Sequence, residues 1–203
     1  VIDCIHTTAA SHNRVFMVEV MGHKAGWLTL NAGMAGGADI ILIPEIPYNI
    51  DSVIAKINQR ANAGHGFTIL AVAEGAMSEK EAAMPKKEYK KHMAELLEKY
   101  PSVSYAIADK ILKKTGKEVR VTVPGHMQRG GTPCAYDRVL SSRLGATAAL
   151  MISKGEFGSM VAIHDHVITS VPLKEVAGKL KTIDPKSDII TEARLLGISF
   201  GDD

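Results

Sequence analysis

The stretch Ile40-Ile41-Leu42-Ile43, closed by Pro44, decides the fold. A short, unbroken apolar run ended by proline suits a strand buried on both faces of a parallel sheet. A second such run covers 67–73. Before the first lies 15–20, apolar and ending at Met21-Gly22, followed by a helix expected over 25–35, opened by Gly26 and closed by Gly36-Gly37. After it, Asp51 is the expected N-cap of a helix through Val53, Ile54, Ile57 and Ala61, stopped by Gly64. Strands thus alternate with helices, the mark of an open α/β sheet.

The pattern continues outward. The charged stretch 78–99 is helical in its periodic part, Tyr89, Met93, Leu96 and Leu97, and 105–112 continues as helix before Gly116. In 118–123, Val119, Val121 and Val123 alternate with Arg120 and Thr122, the strand period of two. A polar loop, 125–131, precedes a long helix expected to open at Thr132 as cap and Pro133 in the first turn. Short strands are expected over 160–163 and 167–171, and helices over 172–180 and 189–196.

The 203 residues carry a net charge of +2, with 46% hydrophobic and 23% charged residues, which excludes a disordered chain. No apolar run nears the ~18 residues of a membrane helix, and no leader opens the chain, so a cytoplasmic setting is expected. Cys4 and Cys134 are too few for a disulfide framework or a zinc site. Residue 1 is Val, within an apolar segment, so the chain is expected to be part of a longer protein.

In open α/β sheets, ligands bind at the carboxyl ends of strands. After Val20 stands Met21-Gly22-His23-Lys24-Ala25-Gly26, a turn that offers backbone N–H groups to an anion. After Ala73 comes Glu74, a carboxylate suited to ligand hydroxyls. After Val123 comes Gly125-His126-Met127-Gln128-Arg129-Gly130-Gly131, where Arg129 offers a planar fork of donors and His126 a second donor. With Arg14 ahead of the first strand and Arg120 on the polar face of the last, these residues point to an anionic, phosphorylated ligand. The His residues lack metal-ligand spacing, no G-x-S-x-G elbow occurs, and Gly33 to Gly37 is not followed by G-K-[ST]. Acidic residues balance the lysines of 80–99, so a solvated helix face fits better than a nucleic-acid patch.

Ser11-His12-Asn13-Arg14, Val18-Glu19-Val20-Met21-Gly22, Ala35-Gly36-Gly37-Ala38, Ile43-Pro44-Glu45, Ala73-Glu74-Gly75 and Gly125 to Pro133 with Tyr136-Asp137-Arg138 resemble, in order and spacing, the 6-phosphofructokinase family. The resemblance implies a Rossmann-like, mostly parallel sheet flanked by helices: the second domain of that fold plus part of the first. It implies a fructose 6-phosphate domain over 1–127, a segment of the donor-binding domain over 128–171, and helices returning over 172–203. The implied reaction moves a phosphoryl group from ATP or pyrophosphate to the 1-hydroxyl of fructose 6-phosphate with Mg²⁺. Arg14 and Arg120 would bind the 6-phosphate in a neighbouring subunit's site, in a dimer or tetramer. His126 and Arg129 would hold it from within, Arg129 also acting catalytically. Glu74 would take sugar hydroxyls, and Met21 and Gly22 would line the pocket.

This sequence departs from the family in three places. His23 stands where arginine is frequent, with Lys24 beside it near the transferred phosphate. The effector-binding cations of regulated members are missing: His6 takes one such place and 63–66 lacks the lysines, whereas Glu45, which in those members helps hold the effector's metal, is present; weak or no nucleotide allostery is expected. The donor loop and the T-I-D-N-D motif with the catalytic base are not in these residues, so the chain alone is expected to be inactive and to supply no metal ligand. The alternative is a non-catalytic sugar-phosphate-binding module. No role emerges for the stretch 76–100.

Overall fold

The computed structural model describes residues 1–11 and 14–203; His12 and Asn13, within the Ser11-to-Arg14 motif, lie outside the described residues. In chain order the elements are α1 (Ile2–Ala9), β1 (Val15–Val20), α2 (Trp27–Ala35), β2 (Ile40–Leu42), α3 (Ile50–Asn62), β3 (Thr68–Ala73), α4 (Glu79–Ala82), α5 (Lys86–Lys99), α6 (Val103–Thr115) and β4 (Val119–Thr122). A 3₁₀ turn, Gly125–Arg129, leads to α7 (Ala135–Ser153), β5 (Ser159–His164), β6 (Val167–Pro172), α8 (Leu173–Val176) and α9 (Asp188–Leu195). Two compact units result: Val1–Gln128 with Thr182–Asp203, and Arg129–Lys181.

The first unit is built on a parallel sheet in the order β2-β3-β1-β4. Every residue of β1, β2 and β3 is buried. Successive side chains point to opposite faces. Phe16, Val18, Val20, Ile41, Ile43, Ile69 and Ala71 pack with α1, α2 and α9. Val15, Met17, Ile40, Leu42, Leu70 and Val72 pack with α3 and α6. Removing one of these, as in Ile41→Ala, costs about 2–5 kcal/mol, because a packed core collapses only partly. The outer edge of β2 is covered by the C-terminal tail, where Ile41 N–H donates to Ser199 O at 2.9 Å and Ser199 N–H to Asp39 O at 3.1 Å. That contact blunts an otherwise open edge.

Several element boundaries differ from the sequence reading. The apolar opening segment folds as α1. The cap of α3 is Asn49, not Asp51: Asn49 is extended, and its side chain accepts the Asp51 N–H at 2.9 Å. The charged stretch is two helices, because Pro85 has no N–H to donate and serves as the N-cap of α5. Helix α7 starts after Cys134 rather than at Thr132, with Asp137 as the reciprocal partner of that cap. Of the expected helix 172–180, only α8 forms, ending at Ala177 and left-handed Gly178.

The second unit comprises α7, the antiparallel hairpin β5–β6 and α8. Residues 172–181 belong to it, so the compact units meet at Gln128/Arg129 and Lys181/Thr182 rather than at 127 and 171. It has little core of its own: Met151 is the one buried residue of α7, while Tyr136, Ile152 and Phe157 are exposed.

Candidate functional site

The sheet order makes a crevice. β1 and β3 are neighbours, yet the helix that follows β1 packs on one face and the helices that follow β3 reach the other. Adjacent strands whose connections diverge leave an opening at their carboxyl ends. The residues there are Met21, Gly22, His23 and Lys24 after β1, and Glu74 and Gly75 after β3.

The turn after β1 is braced from three sides. Glu74 Oε1 accepts the backbone N–H groups of Gly22 at 3.2 Å and His23 at 2.7 Å. Gln128 Oε1 accepts the Met21 N–H at 3.0 Å, tying the 3₁₀ turn to the end of β1. Gly75 permits close approach: a Cβ there would overlap the His23 carbonyl oxygen. His23 has φ 55°, a left-handed backbone uncommon outside glycine. Such strain persists where surrounding contacts over-determine it, and here the two Glu74 bonds do so. Glu74 therefore shapes the turn with one oxygen, Oε1; the sequence reading gave it only the ligand.

Two further carboxylates set the walls. Glu45 accepts the Gly26 N–H through both oxygens, at 3.0 and 3.1 Å, and the Ile183 N–H at 3.1 Å. It thus caps α2, whose N-cap Gly26 has no side chain, and places a negative charge at a helix N-terminus. Glu19, buried in β1, accepts the Ser104 N–H at 3.1 Å in the first turn of α6. A cavity of about 980 Å³ lies beside the crevice, lined by Glu19, Lys24, Glu74 and, from α5, Tyr89, Met93 and Leu97. The stretch that carried no role in the sequence is thus a wall of this cavity. Burial, then the nearby Glu81 charge, pushes the Tyr89 phenol up from its ordinary range.

The predicted cations do not all converge within one chain. His126 lies exposed in the 3₁₀ turn, and exposed Arg129 ends that turn and opens the second unit. Arg14 and Arg120 sit at the opposite, amino end of the sheet. Arg14 immediately precedes β1, and Arg120 pairs in register with Phe16. Seven residues separate Arg14 from Met21, about 23 Å at the ~3.3 Å rise of a strand. That is too far for one side chain to bridge. Instead, Arg14 Nε lies 3.3 Å from Glu118 Oε2, and Arg120 Nη2 lies 2.8 Å from Glu118 Oε1.

Among the described residues, no group of three or more His, Cys, Asp or Glu is placed to hold a metal ion. No helix among them is long and apolar enough to cross a membrane. His6 Nε2 lies 3.1 Å from Gly37 O. Sequence reasoning missed the bracing by Gln128, the capping by Glu45 and Glu19, and the bridge by Glu118. Each is a long-range polar contact with no local periodicity to announce it.

A profile of the phosphofructokinase family matches residues 1–152. The ATP-dependent 6-phosphofructokinase of Spirochaeta thermophila is 50% identical over 201 residues, which is 99% of this chain and 54% of that protein. The enzyme of the same name from Chloroflexus aurantiacus is 47% identical over 202 residues, covering 100% of this chain and 54% of the relative. The chain thus spans about half the length of these curated relatives. Among solved structures, phosphofructokinase from Saccharomyces cerevisiae superposes with a TM-score of 0.67 at 33% identity, over 86% of this chain and 22% of that one. A pyrophosphate-dependent phosphofructokinase from Marinobacter aquaeolei superposes with a TM-score of 0.71 over 92% of this chain and 46% of that one, at 24% identity, a likeness of fold. By profile, by identity along its whole length and by fold, this chain belongs to the phosphofructokinase family.

Proposed function

We propose that this chain is the sugar-phosphate-binding part of a 6-phosphofructokinase, and that the longer enzyme phosphorylates fructose 6-phosphate at its 1-hydroxyl with ATP or pyrophosphate. The observation that carries this reading is the braced crevice at the carboxyl ends of β1 and β3. There Glu74 spends Oε1 on the turn and keeps Oε2 for a sugar hydroxyl, beside Met21 and Gly22. His126 and Arg129 bind the 6-phosphate of a substrate seated there. Arg14 and Arg120, at the far end of the sheet, bind the 6-phosphate held by a neighbouring subunit, so the active enzyme is a homo-oligomer with shared sites. The exposed apolar side chains of the second unit support its place in a donor domain completed elsewhere in the longer protein.

In the reaction, the 1-hydroxyl oxygen bonds to the transferred phosphorus as the bond to the donor's leaving phosphate breaks, and the hydroxyl proton passes to a base outside this chain. Catalysis of this kind is positioning plus charge neutralisation. This chain orients the sugar, and Arg129 neutralises developing charge; His23 and Lys24 lie near the transferred group. Mg²⁺, when bound, would neutralise donor phosphate charge; among the described residues no group of three or more His, Cys, Asp or Glu is placed to hold it.

The test is direct. The longer protein, assayed with each donor, makes fructose 1,6-bisphosphate, whereas the 203-residue chain turns over neither donor. No product from the longer protein with either donor would sink the proposal. Turnover by the chain alone would refute its assignment as the sugar-phosphate part only.

A further inference from the structure

The amino end of the sheet carries a three-residue arrangement. β1 and β4 run parallel, with Phe16 opposite Arg120 and Val15 opposite Val119. By the same register Arg14 stands opposite Glu118. Residues two apart on a strand share a face, so Arg14, Glu118 and Arg120 project from the face that carries Phe16, while Val119 and Val121 pack on the other. The Glu118 carboxylate lies between the two guanidiniums, one oxygen to each, at 3.3 and 2.8 Å. Two adjacent cations would otherwise repel and splay. A guanidinium has five N–H donors, so each arginine has donors left for a second anion.

We infer that Glu118 is a positioning residue that holds Arg14 and Arg120 as a pre-formed fork for the phosphate of the neighbouring subunit's fructose 6-phosphate. The inference rests on the proposed role of those two arginines. Glu118 touches no substrate. It fixes two long, rotamer-rich side chains before the phosphate arrives, which lowers the ordering cost of binding. The carboxylate also subtracts a charge: the cluster is +1 with Glu118 ionised and +2 without it. If its influence were only that of a charge, removing it would tighten phosphate binding. If it positions, removing it weakens binding. The sign of the effect decides between the two.

The experiment measures KM for fructose 6-phosphate and kcat in the full-length oligomeric enzyme for Glu118→Gln, Glu118→Asp and Arg120→Ala. Glu118→Gln raises KM about 2- to 5-fold, the modest range expected of half-exposed ion pairs, with kcat changed less than about 1.5-fold. Glu118→Asp, which returns the carboxylate on a shorter stem, recovers part of the loss; a loss of fold alone would not separate KM from kcat in this way. KM unchanged or lowered in Glu118→Gln, while Arg120→Ala raises it at least tenfold, overturns the inference and leaves the arginine assignment standing. KM unchanged in Arg120→Ala overturns that assignment, and with it the role of Glu118.

Discussion

Glu74 Oε1 lies 2.7 Å from the backbone nitrogen of His23, across the crevice between two adjacent strands. The bond couples the fold to the site. Glu74→Ala removes a charged acceptor from two N–H groups, and each such bond is worth about 1.5–3 kcal/mol when made to a charge, less where solvent reaches it. The expected result is a stability loss of about 1–2 kcal/mol in denaturant unfolding, together with lost fructose 6-phosphate binding by calorimetry. Full stability with lost binding would make Glu74 a ligand group alone.

Glu45 separates a structural from an effector role. Its two oxygens already serve Gly26 and Ile183. Glu45→Ala should therefore destabilise the chain by about 1–3 kcal/mol, as loss of a helix cap with a charged acceptor does. Gly26→Ala should be comparably harmful, because a Cβ there meets the Ile43 side chain and Glu45 Oε2. Thermal unfolding of both variants checks this. A Glu45→Ala chain as stable as the parent would show that its bonds to Gly26 and Ile183 do not hold the fold.

The three fully buried strands were legible because burial on both faces leaves continuous or nearly continuous apolar runs bounded by turn residues. The crevice was legible through the rule of strand ends. What was not legible follows from geometry that pattern cannot carry. Asn49 caps α3 two residues before the charged Asp51, because Asn49 has the extended backbone of a cap while Asp51 already lies within the first turn. Cys134 is the N-cap of α7, where Ser or Thr is the usual signal, and Asp137 accepts its backbone N–H at 3.3 Å. The resemblance implies that Arg14 and Arg120 act apart from His126; what the sequence does not carry is the reason, that β1 and β4 are parallel neighbours with Arg14 and Arg120 at their amino ends.

Arg129→Ala tests the exposed arginine that ends the 3₁₀ turn. In the full-length enzyme it should weaken fructose 6-phosphate binding by about 1.5–3 kcal/mol, the worth of a hydrogen bond to a charged group. It should also depress kcat, because a group that neutralises developing charge acts mainly in the transition state. Steady-state kinetics separates the two contributions. A change in KM with kcat intact would leave Arg129 as a substrate anchor only.

The pH dependence of stability should report on Glu81, in α4, whose side chain meets His92 of α5. Burial by itself pushes this carboxyl up. The Ser78 N–H at 2.7 Å, the Ser78 hydroxyl at 2.7 Å and His92 at 3.1 Å outweigh it and hold the carboxyl below its usual range. A group with a depressed folded pKa binds its proton more readily in the unfolded chain. Its stabilisation is therefore fully present above the ordinary glutamate value of about 4.3 and is lost as pH falls through the lower folded value. Denaturant unfolding between pH 7 and pH 3 should thus show a loss of stability on acidification that Glu81→Gln flattens. The variant should be less stable than the parent at pH 7, because the amide gives up charge-assisted bonds, and the gap should narrow as the pH falls through the lowered folded value. Parallel pH profiles for parent and variant would assign the acid sensitivity to other carboxylates, with Asp109, held low by Lys113 and Tyr100 at the surface, the next to test.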